Sequence, residues 1–507
     1  MELDGNFELQ WASEFNWHNW IYGVYQTKAD VVATEQIGYR GIATRLRNQI
    51  DYSLFNLAHS DKAIVGKDNI LFDEWYLNAW MGRTFIGEDF IDVKLHKLKM
   101  VQDTLRKLGT ELIFILAPDK ANFFEEKIPE YYKNKRYPQN NYSYLAKRSE
   151  DIKINYIDLN KYFLAIKDTC RFPLYPKSGI HWSYYGSFVA LDTILHYIEA
   201  VKKINLNDIT VESIEITNSP KHPDYDIGKN INLLFQIPQW EMAYPKLNYE
   251  NNTDKPKPKM LVTGDSYYFN IYNYNFTEHL FSNNAFWYYA NWVYPDCYKE
   301  PIEAADLDFR KEIEDKDIIV MMVTSRFMHN IDWLLVEKLF NIYYPGIIWK
   351  RNYDRRATIH VDHDYFYWLV EEAEKLGLST NEKLNRDADY MLSIRNNTTH
   401  GKTVFNFVLE IENDNEWFEK VKHKAQNNNR TLRDQKILEG LYLVMGGSVE
   451  EDSIIEAVKE KDIHYYVNKI KNNSEWMKTI EEKALKNKVN IEEQIKLDAK
   501  WIMENKK

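Results

Sequence analysis

The sequence predicts an α/β domain with a mostly parallel sheet over residues 1–355, followed by an all-α domain of helical-hairpin repeats over residues 356–507. Three observations point there. Short, nearly continuous apolar runs alternate with helix-periodic segments through the first two thirds of the chain. After about residue 355 the sequence turns charged and helix-periodic, with only scattered glycine. Within that second part it repeats itself. Apolar runs without polar alternation suit strands covered on both faces, and their alternation with helices is the pattern of a parallel sheet.

The expected strands are Leu112–Leu116, Ile154–Leu159, Met260–Val262 and Ile318–Val323. Ahead of them, Val93–Leu108 reads as an amphipathic helix that stops at Gly109. Pro118, Pro129 and Pro138 mark a loop-rich stretch between the first two strands, and Phe188–Ile198 reads as an apolar helix. In the repeats, Phe407, Val408, Ile411, Asn413, Glu416, Trp417, Val421, Lys424 and Ala425 recur 59 residues later. Their counterparts are Tyr466, Val467, Ile470, Asn472, Glu475, Trp476, Ile480, Lys483 and Ala484. A looser third copy holds Tyr365, Leu369 and Ala373, then Asp387, Ala388 and Tyr390, which match Asp498, Ala499 and Trp501 at an offset of 111. Such spacing predicts stacked helical hairpins, each burying its stripe against the next. They serve as a structural appendage or as a surface on which a protein partner docks.

With 507 residues and 44% hydrophobic content the chain can bury a large core and divide into two or three domains. A net charge of -11 without a long Lys/Arg block excludes nucleic acid as a partner. The 36 Tyr and 15 Trp are read first as packing residues and second as rings that stack on sugar faces. The longest purely apolar run, Ile318–Val323, is far below the ~20 residues of a membrane span. Met1-Glu2-Leu3-Asp4-Gly5 lacks the basic and apolar regions of a signal peptide, so the protein is either cytosolic or preceded by a removed export signal or anchor. Cys170 and Cys297 form no disulfide framework; they are either one bridge near the site or two free thiols.

Chemistry enters at Gly264-Asp265-Ser266, which follows the apolar run Met260-Leu261-Val262 and precedes a Tyr/Phe-rich segment able to start a helix. A strand, a sharp turn and a helix put the serine hydroxyl at the carboxyl edge of a sheet, beside N–H groups that favour developing negative charge. The tripeptide alone is a weak signal. Its companion is Gly179-Ile180-His181-Trp182-Ser183 ahead of the Phe188–Ile198 helix. At a helix start the dipole favours the neutral imidazole, which can accept a proton, so His181 is the candidate general base. Lys120 and Arg326 each follow an apolar strand and are candidates to hold an anionic substrate or an oxyanion. Asp265 and Trp182 complete the substrate and oxyanion candidates, with Asp265 read mainly as a turn-shaping residue. Neither ligand spacing for a metal nor a phosphate-cradling glycine loop is present in the sequence, so no metal or cofactor is expected.

Together these motifs resemble the SGNH hydrolase-like domain of polysaccharide O-acetyltransferases, specifically the alginate O-acetylation proteins, a three-layer, flavodoxin-like fold. That group is circularly permuted relative to ordinary SGNH esterases, so its histidine precedes its serine, as His181 precedes Ser266 here. Val65-Gly66-Lys67-Asp68 with Leu71-Phe72 resembles the group's opening segment. Phe114-Ile115-Leu116-Ala117-Pro118-Asp119-Lys120 resembles its strand ending in proline and a basic residue, and Phe286-Trp287-Tyr288-Tyr289 and Thr324-Ser325-Arg326 fall where later elements are expected. The resemblance covers roughly residues 1–350 and leaves the repeats outside. It implies that Ser266 is a nucleophile carrying an acetyl group, that His181 activates it, and that the Ser266 N–H contributes to an oxyanion hole. It also implies an extracytoplasmic, membrane-anchored protein, a polysaccharide acceptor, and a membrane-bound O-acyltransferase as acetyl donor. Alginate is doubtful as the acceptor, because the related alginate protein has a β-rich carbohydrate-binding module where this chain has helical repeats.

One position departs from the family. Its members usually carry Asp two residues before the histidine, where this chain has Gly179. Three readings follow: Asp224 or Asp226, in His222-Pro223-Asp224-Tyr225-Asp226, supplies the carboxylate from another loop; a backbone carbonyl orients the ring and leaves a Ser-His dyad; or the site is dead and the domain is a glycan-binding or assembly module. A carbohydrate acetylesterase with the same residues is the alternative enzyme.

Overall fold

The computed structural model describes residue 3 and residues 15–35, 40–60, 62–349, 351–394, 403–428, 430–444, 470–471, 474–487 and 489–505. Among these, ten strands follow in chain order: β1 (Ala63–Val65), β2 (Leu71–Asp73), β3 (Glu111–Leu116), β4 (Tyr156–Asp158), β5 (Ile209–Thr217), β6 (Met242–Tyr249), β7 (Lys259–Gly264), β8 (Ser282–Tyr288), β9 (Trp292–Tyr294) and β10 (Ile318–Val323). Six of them form the central sheet in the order β4-β3-β10-β7-β8-β9. All its neighbours pair in parallel except β9, which runs antiparallel to β8. The α/β expectation therefore holds, with a mixed, mostly parallel sheet.

Why β10 lies at the centre follows from its sequence: every residue of Ile318–Val323 is buried, which an edge strand would not allow. One face of the sheet presents Ile113, Ile115, Val262, Val320 and Met322 to a core shared with Trp182, Tyr267, Leu191 and Ile194. Leu112, Phe114, Leu261, Ile319 and Met321 alternate with them and are also fully buried, so both faces are covered. The helix read as Val93–Leu108 spans Glu88–Lys107, with Glu88 and Asp89 in its first turn and Arg106 and Lys107 in its last, each sign complementing the helix dipole. Gly109 follows with φ +98°, a left-handed stop that a side chain would resist.

Some elements differ from the reading. The strand expected over Ile154–Leu159 is only Tyr156–Asp158, because Asp158 turns its side chain onto the Lys161 N–H and caps the helix Leu159–Ile166. β8 opens on polar Ser282-Asn283-Asn284, and the β5–β6 ribbon is largely exposed along β5, so neither shows the apolar run used to find strands. Cys170 and Cys297 are both free thiols. Among the described residues no helix is long and apolar enough to cross a membrane.

The chain forms two compact units, Met1–Leu334 with Ile359–Leu384, and Leu335–Thr358 with Asn385–Lys507. Residues 359–384, assigned from sequence to the helical part, thus cluster with the first unit, and 335–355 with the second. In the second unit the described helices include Val404–Asn413, Asn415–Asn427, Leu432–Val444, Ser474–Asn487 and Ile491–Asn505. Matched positions make matched bonds: Arg430 N donates to Ala425 O and Val489 N to Ala484 O, at 2.9 and 3.1 Å. Lys424 likewise pairs with Glu439, and Lys483 with Asp498, each across the same interhelical turn. Val421 and Ile480 are buried at equivalent places. Tyr466, Val467 and Asn472 of the second copy lie outside the described residues.

Candidate active site

Parallel strands in register deliver their following residues to one edge, and here that edge collects the chemistry. Val323 pairs with Leu116 and Met322 with Gly264, so Pro118-Asp119-Lys120, Asp265-Ser266 and Thr324-Ser325-Arg326 emerge side by side. Asp265 is buried. Its carboxylate accepts from Tyr267 N at 3.0 Å, from Thr324 N at 2.9 Å and from the Thr324 hydroxyl at 2.7 Å. It ties the ends of β7 and β10 together and fixes the turn, as expected; burial pushes its carboxyl up from the ordinary range. Ser266 stands at the start of the helix Tyr267–Tyr272 with helical backbone angles, and its side chain makes no capping bond. Its amide donates to no acceptor among the described residues.

His181 Nε2 lies 2.9 Å from Ser266 Oγ. The histidine is not in the first turn of a helix, contrary to the sequence reading: the helix spans Tyr184–Lys202, and Ser183 caps it through the Gly186 N–H. The ring is placed by other means. The Tyr267 hydroxyl, kept protonated by burial, donates to Ile180 O at 2.8 Å. Trp182 Nε1 donates to Tyr267 O at 3.1 Å and Asn270 Nδ2 to Trp182 O at 3.3 Å. The residues flanking the histidine are thus bonded directly to the helix that starts at the serine. Trp182 is fully buried against Phe163 and Tyr267, so its ring packs the core and is not a platform for a sugar.

Of the two proposed carboxylates, the fold brings one to the histidine. Asp226 Oδ2 stands 3.6 Å from His181 Nδ1, longer than a hydrogen bond, while its Oδ1 accepts from Ile180 N at 2.9 Å and Ile227 N at 2.6 Å. Asp224 is turned away: its Oδ2 accepts the Tyr244 hydroxyl at 3.0 Å, and burial raises its carboxyl to about 7. Gly179 explains why no carboxylate sits two residues before the histidine. A Cβ there would stand 2.7 Å from Pro176 Cγ and 2.9 Å from the Asp224 backbone, so the loop carrying Asp226 occupies the space a side chain would need.

The two candidate cations are both engaged. Lys120 is buried and donates to Lys177 O at 2.9 Å and Gly179 O at 2.8 Å, and its amine is pulled down to about 7 by burial. It faces inward, beneath the histidine loop, and not toward an incoming substrate. Arg326 donates through Nε to the Tyr367 hydroxyl at 3.0 Å and has Asp73 at 3.8 Å. Its guanidinium lies over the rings of Phe327, Tyr367 and Tyr76, and its side chain keeps 23% exposure. Tyr267, Asn270 and Tyr244 were not singled out in the sequence, and Thr324 was noted only as part of Thr324-Ser325-Arg326; Tyr267 carried a signal in its place directly after Ser266.

His181 and Asp226 retain 16% and 24% side-chain exposure, so the Ser-His pair is reachable from solvent. A hydroxyl, an imidazole bonded to it, a carboxylate behind the imidazole and a free amide beside the hydroxyl make up the parts of an acyl-transfer site.

Residues 63–284 match the family model of the SGNH hydrolase-like domain, acetyltransferase AlgX. Among solved structures the chain is similar to the O-acetyltransferase domain of Pseudomonas putida AlgJ, at 15% identity over 55% of this chain and 99% of that one, with a TM-score of 0.37. It is also similar to Pseudomonas aeruginosa AlgX (14% identity, 59% of this chain and 67% of that one, TM-score 0.36) and to Bacillus cereus PatB1 with a sulfonyl adduct (12% identity, 53% and 96%, TM-score 0.34). No curated protein sequence matches the chain. The matched stretch, residues 63–284, contains both His181 and Ser266.

Proposed function

We propose that the chain is an O-acetyltransferase that moves an acetyl group through an acetyl-Ser266 intermediate onto a polysaccharide hydroxyl. The observation that carries this reading is the 2.9 Å contact between His181 Nε2 and Ser266 Oγ, with Asp226 behind the ring. In the first half-reaction His181 takes the Ser266 proton as Oγ attacks the donor carbonyl, and negative charge develops on the carbonyl oxygen near the Ser266 N–H. The C–O bond to the donor alcohol breaks, and that alcohol leaves with the proton held on His181. In the second, His181 takes the proton of a sugar hydroxyl as it attacks the acetyl carbon. Ser266 leaves and recovers the proton. Asp226 stabilises the imidazolium that each step forms, and a contact of 3.6 Å needs only a small shift of the ring to close.

The acceptor glycan, a membrane-bound O-acyltransferase as donor and an extracytoplasmic location belong to this proposal through the family resemblance. The test is incubation with p-nitrophenyl acetate. Acetylated Ser266 is expected by mass spectrometry in the native chain and absent in Ser266→Ala. Transfer of label to added oligosaccharide marks a transferase, and acetate release indifferent to added glycan marks an esterase. If neither adduct nor turnover forms with several activated esters, the enzyme reading is wrong.

A further inference from the structure

We propose that Lys120 is a positioning residue for His181, acting by holding the Lys177–Gly179 backbone from beneath. The inference rests on the acyl-transfer reading of Ser266 and His181 and deepens it. Asp119 turns its side chain onto the Ala121 and Asn122 N–H groups, which starts a short helix directly after β3 and aims Lys120 under the histidine loop. The side chain is 3% exposed and gives two N–H groups to two carbonyls, those of Lys177 and Gly179. An amine can make both bonds whether or not it carries the third proton.

What surrounds these bonds shows their purpose. Residues 177–180 belong to no helix or strand, and the loop is held by neighbours on every side. Leu71 N donates to Lys177 O at 2.9 Å and Gly228 N to Ser178 O at 2.9 Å. Ile180 N donates to Asp226, and Ile180 O accepts from Tyr267. Of the four carbonyls from Lys177 to Ile180, Lys120 serves two, and Gly179 O is the one that stands two residues before the catalytic-site imidazole. Gly179 has no side chain with which to brace the loop, and the Asp224 backbone fills the space beside it. Lys120 thus ties this loop, from a different strand end, to the end of β3. The negative charges of Asp226 and Asp224, in the loop that flanks the imidazole, act on the same amine and favour its protonated form. Displacement of a catalytic group by about 1 Å costs on the order of 10²-fold in rate, so small relaxation of this loop is enough to matter.

The experiment compares the full chain with Lys120→Met, with Ser266→Ala as reference, using p-nitrophenyl acetate turnover and sulfonylation of Ser266 by phenylmethylsulfonyl fluoride. We expect kcat to fall about 10²-fold with KM changed less than about threefold, and sulfonylation to slow in parallel, because both need an aligned imidazole. Hydrogen exchange by mass spectrometry over residues 177–182 and 225–229 should quicken about tenfold or more, with the rest of the first unit unchanged. If Lys120→Met fails to fold, Lys120→Met/Asp224→Asn replaces it, since that pair removes the buried amine together with a carboxylate whose charge acts on it. A folded variant with kcat within twofold of the native chain and unchanged exchange overturns the proposal. If the native chain neither turns over ester nor reacts at Ser266, the enzyme reading has failed, and the exchange comparison alone decides whether Lys120 holds the loop.

Discussion

In the acyl-transfer site proposed for this chain, the carboxylate nearest the imidazole is that of Asp226, and Gly179 stands two residues before the histidine. The family pattern puts it two residues before the histidine; here it arrives from a loop 45 residues further on, and the glycine makes room for that loop. Asp226→Asn should therefore lower kcat by about 10²- to 10⁴-fold, because an amide neither selects the right imidazole tautomer nor stabilises its cation. Asp224→Asn should stay within about fivefold, since its carboxyl bonds Tyr244 and not His181. Steady-state kinetics on the two variants separates them, and equal losses would remove Asp226 from the role. Gly179→Asp should not rescue Asp226→Asn. Its Cβ meets backbone at 2.9 Å, and overpacking of that kind costs about 1–3 kcal/mol, readable in a denaturant midpoint. The sequence narrowed the carboxylate to Asp224 or Asp226 but could not choose. The choice depends on which of two residues in one short loop turns toward His181, and backbone direction in an irregular loop leaves no periodic trace.

At the scale of elements, the serine and the histidine come from different segments, and what aligns them is a set of bonds between the helix Tyr267–Tyr272 and the backbone around His181. Tyr267→Phe removes the donor to Ile180 O and leaves that carbonyl unpaired beside buried rings, a loss of about 1–3 kcal/mol. We expect lower thermal stability together with slower acetylation of Ser266 in this variant; full acetylation rate at reduced stability would show that the Tyr267 bond does not align the site. The strands that position these groups were the readable part of the fold. β3, β7 and β10 are continuous apolar runs because both sheet faces are covered, and Ser266, Lys120 and Arg326 were legible as residues at their ends. Strand order was not legible, since it depends on crossovers and not on any strand's own residues. Lys120 and Trp182 were found as candidates and then placed in different work, because a sequence gives a residue's position along the edge but not whether its side chain turns in or out.

Across the whole molecule, the buried groups near the site make stability depend on pH with opposite signs on either side of neutrality. Asp224 has a native value raised from 3.8 to about 7, so its stabilising contribution is fully present below pH 3.8, where both states hold the proton, and is lost as pH climbs to about 7. Lys120 is lowered from 10.5 to about 7. Its native state gives up a proton that the unfolded chain keeps between pH 7 and 10.5, so stability rises over that range. Burial is the leading cause of both shifts, and each group's charge acts on the other against it, lowering Asp224 and raising Lys120. The ceiling for either is about 4–5 kcal/mol at 1.36 kcal/mol per unit, with mutual attraction reducing the net effect. Differences between variants isolate these terms from the chain's other carboxylates. Native stability minus that of Asp224→Asn should fall from pH 4 to pH 7 and then level off, whereas native minus Lys120→Met should be flat below pH 7 and rise toward pH 10. Thermal midpoints of the unit that carries the site, taken at half-unit intervals, provide both curves. A flat difference for Asp224→Asn across pH 4–7 would mean that its carboxyl ionises as freely in the folded protein as in the unfolded chain, and that the desolvated environment built by Tyr244, Tyr184 and the Gly179 loop does not restrain its charge.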